Sequence, residues 1–269
     1  MSWRGAAFTG LLLAYALLTL GVILPSSPVL SLDLSFLHIH MQGHHPQYRH
    51  FIHTYVMLGQ RGPATLAFLP FFLWVTWRRR STEPLVMLVA ALVLLNVSVG
   101  VVKYAIGRIG PAHINDVHMI FAGGNIYPSG HVSNAVVLYG LVAWLAPRFR
   151  KTLIAIATFL CASVGIGTVY LRTHWFSDVV GGWFAGGLVL LALPTVMPMA
   201  QRCADGVIAW GRRRFGRVGD GDRPAIIVPQ VAPRPVQRSS TPVSTSARSH
   251  SLAATASSSD GLDDRTRCG

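Results

Sequence analysis

The sequence predicts an all-α protein that crosses a membrane six times. Of its 269 residues 51% are hydrophobic and only 12% are charged, and the mean hydropathy is +0.45, which is too apolar for a soluble domain of this size. Six apolar stretches approach the ~20 residues that a helix needs to cross the hydrocarbon core. They cover residues 6–24, 63–77, 84–102, 132–146, 153–171 and 179–199. Their continuous apolar runs favour a bundle of helices over the alternating strands of a membrane barrel.

The first of these stretches could be mistaken for a signal peptide, and two others are short. The run 6–24 is long for the apolar part of a signal peptide and no small-residue cleavage site follows it, so we expect an uncleaved helix. The runs 63–77 and 132–146 are short, and we expect them to extend into flanking residues or to lie where the bilayer thins.

The last part of the chain differs in composition. Residues 215–269 are rich in Ser, Thr, Pro, Arg and Ala with few aromatic residues, so they cannot bury enough apolar surface to offset chain entropy. The sequence therefore predicts a membrane domain over residues 1–214 and a disordered cytoplasmic tail over 215–269.

The basic residues beside the predicted spans all fall on one side of a six-span topology. They are Arg4, Arg78 to Arg80, Arg148, Arg150, Lys151 and Arg212 to Arg214. Because loops rich in Lys and Arg stay in the cytoplasm, both termini are predicted to be cytoplasmic and the protein to reside in the cell membrane. The loops 25–62, 104–130 and 172–177 then face the extracytoplasmic side.

The net charge of +13 follows this topology rather than forming a patch interleaved with aromatic residues. We therefore expect anionic lipid headgroups, and no nucleic acid, as the partners of the basic residues. Cys161 lies within a span, and Cys203 and Cys268 lie on the predicted cytoplasmic side, so no outer-loop pair is present to form a disulfide.

Three short polar segments lie at span ends and return to the same, extracytoplasmic, face. They cover residues 103–111 (KYAIGRIGP), 128–131 (PSGH) and 174–178 (HWFSD). Polar groups beside an apolar span are unfavourable unless they have partners or a function. The sequence thus predicts a reaction centre at the lipid surface.

Each segment carries a recognisable chemistry. Ser129 is a good cap for the fourth helix, whose first N–H groups form an anion site. Asp178 follows His174 by four residues, so its carboxylate can fix the imidazole tautomer and leave the other nitrogen free as a nucleophile. Lys103 offers a point charge for a phosphate oxygen. The alternatives are a simple helix cap, an interfacial His with a capping Asp, and a Lys that reaches the headgroups.

The order and spacing of the three segments resemble the type 2 phosphatidic acid phosphatases, relatives of the vanadium haloperoxidases. The family pattern is a Lys seven residues before Arg-Pro, then Pro-Ser-Gly-His, then Ser-Arg, five residues, His, three residues and Asp. Lys103 with Pro111, residues 128–131, and His174 with Asp178 all match it. The resemblance covers residues 103–182.

Two arginines of that pattern are replaced. Gly110 stands before Pro111, and Gly167 and Thr168 stand where Ser-Arg is expected. Arg172, four residues after Thr168, and Arg108, two before Gly110, are candidates to supply the missing charge. The alternative for both is an Arg that contacts headgroups.

The resemblance implies an integral membrane phosphatase acting on lipid phosphates or diphosphates. His174 would attack phosphorus to give a phosphohistidine, Asp178 would orient it, and His131 would act as general acid and base. Phosphate oxygens would be held by Lys103, Ser129, Gly130, Arg108 and Arg172. No metal or other cofactor is implied. The alternatives are a non-catalytic lipid-phosphate binder, a lipid-linked phosphotransferase and, less favoured, a transporter.

The first outer loop also carries a cluster of histidines. They are His38, His40, His44, His45, His50 and His53. Such density can bind zinc or copper, but the spacing fits no closed four-ligand site, and Asp33 is the nearby carboxylate. An interfacial loop that covers the active site or senses pH is the alternative that we favour.

Overall fold

The computed structural model describes residues 3–38, 47–112 and 120–215. These residues form α1 (Trp3–Ile23), α2 (Pro28–His38), α3 (Gln47–Val56), α4 (Arg61–Arg79), α5 (Glu83–Ile106), α6 (Gly130–Leu145), α7 (Arg150–Tyr170) and α8 (Phe176–Phe215). Short 3-10 turns precede α4 and α7, at Met57–Gly59 and Pro147–Phe149. The predicted cytoplasmic tail lies almost entirely outside the described residues.

The prediction of a helical membrane protein is confirmed. Within the described residues, four helical segments are long and apolar enough to cross a bilayer: Trp3–Ile23, Glu83–Ile106, Pro147–Tyr170 and Phe176–Arg214. The run 63–77 extends into its flanking residues as expected, to the 19 residues of α4. Helix α6 begins two residues before the run 132–146 but ends one residue before its end, so it stays short at 16 residues. At 1.5 Å per residue α6 is about 24 Å long, which is less than the ~30 Å hydrocarbon core. The count of six spans stays a prediction.

Helix α6 forms the centre of the bundle. It contacts α4, α5, α7 and α8, and its side chains Val137, Leu138 and Leu141 are fully buried. A helix that is apolar on every side is typical of such a central position, because it has no polar face to turn toward water. The centre of the bundle therefore carries the Pro-Ser-Gly-His segment at its N-terminal end.

Glycines bring the backbones of α6 and α8 close together. A Cβ atom on Gly182 of α8 would lie 2.8 Å from the Ser129 carbonyl oxygen, and one on Gly186 would lie 2.9 Å from that of Ser133. Small residues of this kind allow close helix approach inside a membrane. This packing fixes the start of α6 against the start of α8, which is where the second and third polar segments lie.

The two ends of the bundle differ in character. At one end the Arg79 guanidinium donates to the Leu145 carbonyl (2.7 Å) and the Gln201 amide donates to the Thr82 hydroxyl (3.0 Å). The basic residues of the α4–α5 and α6–α7 connections therefore gather at that end. At the other end the hydroxyls of Thr19 and Tyr127 are 2.7 Å apart, next to residues 128–131. The charge clusters and the three polar segments thus occupy opposite ends.

Part of the predicted first outer loop packs on the bundle. The Asn134 amide donates to the Gly59 carbonyl at 3.0 Å, and the Tyr139 hydroxyl donates to the Leu58 carbonyl at 3.1 Å. A Cβ atom on Gly59 would lie only 2.6 Å from the His131 carbonyl oxygen. The turn Met57–Gly59 therefore lies directly against the first turn of α6.

Candidate active site

His174 and Asp178 lie where α7 gives way to α8. His174 is in the turn between the two helices, and Asp178 is in the first turn of α8. The imidazole Nδ1 is 3.5 Å from Asp178 Oδ2, and the His174 side chain is 7% exposed. This separation is longer than a good hydrogen bond, as is common in unliganded active sites, where such bonds tighten when substrate binds. The geometry directs the Nδ1 atom toward the carboxylate and leaves Nε2 for chemistry.

His131 lies close to His174 at the N-terminus of α6. Their ring centroids are 6.1 Å apart and the ring planes are inclined by 72°. Ser129 is the N-cap, because its hydroxyl accepts the Val132 N–H at 3.5 Å, and its own N–H donates to the Asp178 carbonyl at 2.9 Å. The second and third segments are therefore joined directly, with two imidazoles placed to contact the same small group from two sides.

Lys103 reaches this site from the last turn of α5. Its ammonium group donates to the Asn125 carbonyl, and a Cβ atom on Gly130 would lie 4.0 Å from Nζ. The cation therefore lies beside the first N–H groups of α6, where a helix N-terminus also favours negative charge. All three polar segments meet at one place, as the sequence predicts.

Arg108 has surroundings that differ from the expectation. It is fully buried, and its Nη1 donates to Asp178 Oδ1 (2.8 Å) while its Nη2 donates to Asp33 Oδ2 (2.8 Å). The guanidinium also lies 5.2 Å from the Trp175 ring. Because both terminal nitrogens already bind carboxylates, the side chain is not directed at a phosphate. We therefore correct the predicted role of Arg108 from phosphate binding to holding Asp178.

Asp33 is a member of the site that the sequence reasoning missed. It lies on α2, is 1% exposed, and accepts hydrogen bonds from the Ser177 N–H (2.8 Å) and the Ser177 hydroxyl (2.6 Å) in addition to Arg108. The signal was a lone carboxylate between Leu32 and Leu34 in an apolar run, which needs a partner if it is buried.

The charges of this network are unequal. One guanidinium serves two carboxylates, so the second carboxylate is not fully compensated. Burial raises the pKa of the Asp33 carboxyl above its ordinary value, while the Arg108 charge and the hydrogen bonds from Ser177 and Arg108 oppose that rise. Asp178 is further bound by the Trp175 N–H, which donates to Oδ2 at 2.9 Å.

The replaced arginines leave recognisable positions in the structure. A Cβ atom on Gly110 would lie 3.2 Å from the Thr173 carbonyl oxygen, next to His174. Thr168 is fully buried in the last turn of α7, where its hydroxyl donates to the Gly165 carbonyl at 2.7 Å. Arg172 lies in the turn after α7 with a left-handed backbone (φ 56°) and a half-buried side chain. Arg172, two residues before His174, therefore remains a candidate to bind the phosphate.

The histidine cluster of the first outer loop lies mostly outside the residues that the structure describes. His40, His44 and His45 are outside the described residues, and so is the side chain of His38. Within the described residues, which include His50 and His53, no three His, Cys, Asp or Glu side chains are close enough together to hold a metal ion. Metal binding by the loop stays the alternative that the sequence disfavours, and the interfacial loop stays a prediction.

Comparison with known proteins agrees with this geometry. The model of the PAP2 superfamily matches residues 84–202, which contain every catalytic residue predicted from the sequence. Residues 84–202 are thus a PAP2 superfamily domain, the group to which the type 2 phosphatidic acid phosphatases belong. The family assignment given by the three motifs is thus confirmed.

Two curated proteins match parts of the chain. The chain is 33% identical over 121 residues to the lipid A 1-phosphatase of Rhizobium etli, an alignment that covers 37% of this chain and 50% of that protein. It is 36% identical over 74 residues to phosphatidylglycerophosphatase B of Bacillus subtilis, covering 25% of this chain and 36% of that protein. The chain therefore spans half or less of the length of these curated relatives.

A solved structure shares the fold. The crystal structure of a transmembrane PAP2 type phosphatidylglycerolphosphate phosphatase from Bacillus subtilis superimposes with a TM-score of 0.59 at 22% identity, covering 70% of this chain and 94% of that one. This similarity concerns the arrangement of helices. It shows that the two proteins share a fold.

Proposed function

We propose that the protein is an integral membrane phosphatase that removes phosphate from lipid phosphates or diphosphates through a phosphohistidine intermediate. One observation carries the proposal: His174 with Asp178, His131 and Lys103 come from three separate segments of the chain and meet at one end of the bundle. A structural role for any one of them is easy to imagine, but a helix cap alone would not require two neighbouring imidazoles.

In the first step His174 Nε2 attacks phosphorus and the bond from phosphorus to the lipid oxygen breaks. The leaving oxygen takes a proton from His131, so the lipid departs as an alcohol or as a lipid monophosphate. The Asp178 carboxylate beside Nδ1 orients His174 and stabilises the positive charge that the ring acquires. With ring centroids 6.1 Å apart, the two imidazoles are near enough to contact the same phosphoryl group.

In the second step His131, now without its proton, takes one from water. The resulting hydroxide attacks the phosphohistidine, the bond from phosphorus to nitrogen breaks, and inorganic phosphate leaves. During both steps the non-bridging oxygens are held by Lys103, the Ser129 hydroxyl, the Gly130 N–H and Arg172. Arg108 and Asp33 lie behind the site and hold Asp178 in place. Each step uses only these side chains, so the proposal predicts activity in the presence of a chelator.

The proposal includes a topology. Six helices, α1 and α4 to α8, cross the membrane, both termini lie in the cytoplasm, and the site faces the extracytoplasmic side of the cell membrane. The arrangement is supported by the basic residues, which gather at the end of the bundle opposite the site. Substrate headgroups would enter from the outer leaflet, with their tails between helices.

One observation favours a second candidate. Gly110 and Thr168 stand where the family pattern has phosphate-binding arginines, and loss of one transition-state donor typically lowers the rate ~10²–10³-fold. A protein with this pocket and too little transition-state stabilisation would bind a lipid phosphate without turning it over, or would pass the phosphoryl group only to a second lipid.

The test is phosphate release by purified protein from phosphatidic acid, phosphatidylglycerophosphate and polyprenyl diphosphate in the presence of chelator. Release should disappear in His174→Ala and persist in the matched control His50→Ala, whose side chain is exposed. Acid-labile phosphate trapped on the peptide that carries His174 would identify the intermediate. Lipid binding without release would favour the binder, and radiolabel found in an acceptor lipid without free phosphate would favour the transferase.

A further inference from the structure

A cavity lies in the bundle, away from the catalytic groups. It has a volume of about 700 Å³ and is lined by the first residues of α1, the C-terminal half of α6, the N-terminal half of α7 and the N-terminal half of α8. His131 is at the opposite end of α6, and none of the proposed catalytic residues lines this cavity. It is therefore a separate site, and it lies toward the end of the bundle that carries the basic residues.

The depth of this cavity matches one leaflet of a bilayer. Along α7 its lining extends from Arg150 to Ala162, which are twelve residues apart. At 1.5 Å per residue this is about 18 Å, a little more than half of the ~30 Å hydrocarbon core. An occupant that fills the cavity from end to end thus has the length of the acyl region of a single leaflet.

The lining changes from apolar to cationic along that depth. The inner walls are formed by small and aliphatic side chains, among them Gly140, Ala157 and Leu190, while Arg4 and Arg150 lie at the outer end. Trp3 flanks the same end, and its ring stacks with the Arg4 guanidinium at 5.5 Å. The lining residues include no Asp or Glu. An apolar slot closed by two guanidinium groups complements a molecule with a hydrocarbon tail and an anionic head.

We propose that this cavity binds one anionic phospholipid of the leaflet that faces away from the catalytic site. Its acyl chain lies between α6, α7 and α8, and its phosphate lies between Arg4 and Arg150. The two arginines come from α1 and α7, so the lipid joins the first helix to the catalytic core. This inference does not depend on catalysis.

The experiment measures lipid retention in His174→Ala protein, in which the phosphatase reaction of the proposed function is removed. Native mass spectrometry compares phosphatidylglycerol with phosphatidylcholine, and Trp quenching by chain-brominated forms of the two lipids gives binding curves. Each of Arg4→Gln and Arg150→Gln should weaken phosphatidylglycerol binding about fivefold and both together about 25-fold, because each contact with an anionic surface is worth about 1 kcal/mol. Binding of phosphatidylcholine should change less than twofold.

Two control variants test whether binding depends on the cavity and on the arginines that line it. Arg148→Gln removes an exposed Arg at the same end that does not line the cavity, and it should leave phosphatidylglycerol binding within twofold. Ala157→Phe fills the slot and should abolish retention of both lipids, with circular dichroism and thermal melting used to confirm that the variant is folded. Equal binding of the two lipids by unmodified protein, or an Arg148→Gln effect as large as that of Arg150→Gln, would overturn the proposal.

Discussion

Replacement of Arg108 by Gln separates two roles for this side chain. If it holds Asp33 and Asp178, as the two 2.8 Å contacts indicate, its loss leaves two buried carboxylates without a cation. Breaking a buried ion pair from one side costs about 3–5 kcal/mol, and with two orphaned carboxylates we expect the upper value, about 5 kcal/mol. If Arg108 instead binds phosphate, its replacement would weaken substrate binding and leave the fold unchanged.

A double-mutant cycle with Asp33→Asn measures the contact directly. In that background Arg108→Gln orphans a single carboxylate, so we expect a loss of about 3 kcal/mol and a coupling of about 2 kcal/mol. The loss of stability is smaller in this background because an amide at position 33 still accepts a hydrogen bond from the Ser177 N–H and carries no charge. The assay is reversible unfolding in mixed detergent micelles, followed by tryptophan fluorescence.

Arg148→Gln is the matched control for this cycle. Its side chain is exposed at the other end of the bundle, so its free energy of unfolding should stay within about 0.5 kcal/mol of the unmodified protein. The reasoning fails if Arg108→Gln unfolds with the same free energy as the unmodified protein, or if its loss is equal in both backgrounds. Weaker lipid-phosphate binding with an unchanged fold would restore the phosphate-binding role.

Three further outcomes are expected. Because folding raises the pKa of Asp33, the protonated form favours the fold, so the stability of the unmodified protein relative to Asp33→Asn should fall as pH rises from about 4 through the raised pKa, as measured by unfolding at several pH values. Thr168→Arg, which restores a family arginine, should raise kcat/KM at least tenfold in an Arg172→Ala background but less than threefold on its own, because Arg172 already supplies charge; equal gains in both backgrounds would contradict this. Gly186→Ala should cost about 1–3 kcal/mol, since its Cβ would lie 2.7 Å from that of Val136, whereas Gly100→Ala, with nothing within 4 Å, should gain up to about 1 kcal/mol in the same unfolding assay.

The residues of the proposed catalytic centre could be predicted because each belongs to a local pattern at the end of an apolar run. His174 with Asp178, and Ser129 with His131, lie close together in sequence, and a topology that alternates sides is enough to bring the segments to one end. The span limits were harder to predict. Helix α6 has only 16 residues and is enclosed by its neighbours, and burial by other helices cannot be deduced from hydropathy.

The surroundings of Arg108 could not be predicted, because they depend on a contact across 75 positions of the chain. Spacing along the chain placed Arg108 two residues from the missing arginine, which made a phosphate role plausible. Spacing does not show the direction of a side chain, and the structure directs this one into the protein toward Asp33. A buried Arg needs anionic partners, and here one carboxylate comes from α8 and the other from α2.

The contacts of Arg108 with Asp33 and Asp178 affect how a site in which two arginines are replaced could still stabilise a phosphoryl group. Positive charge near the phosphoryl group stabilises the transition state, whereas charge behind Asp178 only orders the carboxylate that orients His174. Because Arg108 binds the two carboxylates, the proposed function assigns the first role to Lys103, the N–H groups at the start of α6, and Arg172. If each missing donor lowers the rate ~10²–10³-fold, the balance between phosphatase and binder depends on Arg172 more than on any other cation. The variant Arg172→Ala should therefore lose turnover while His174 and Asp178 keep their positions, and unchanged turnover would show that the N–H groups and Lys103 suffice.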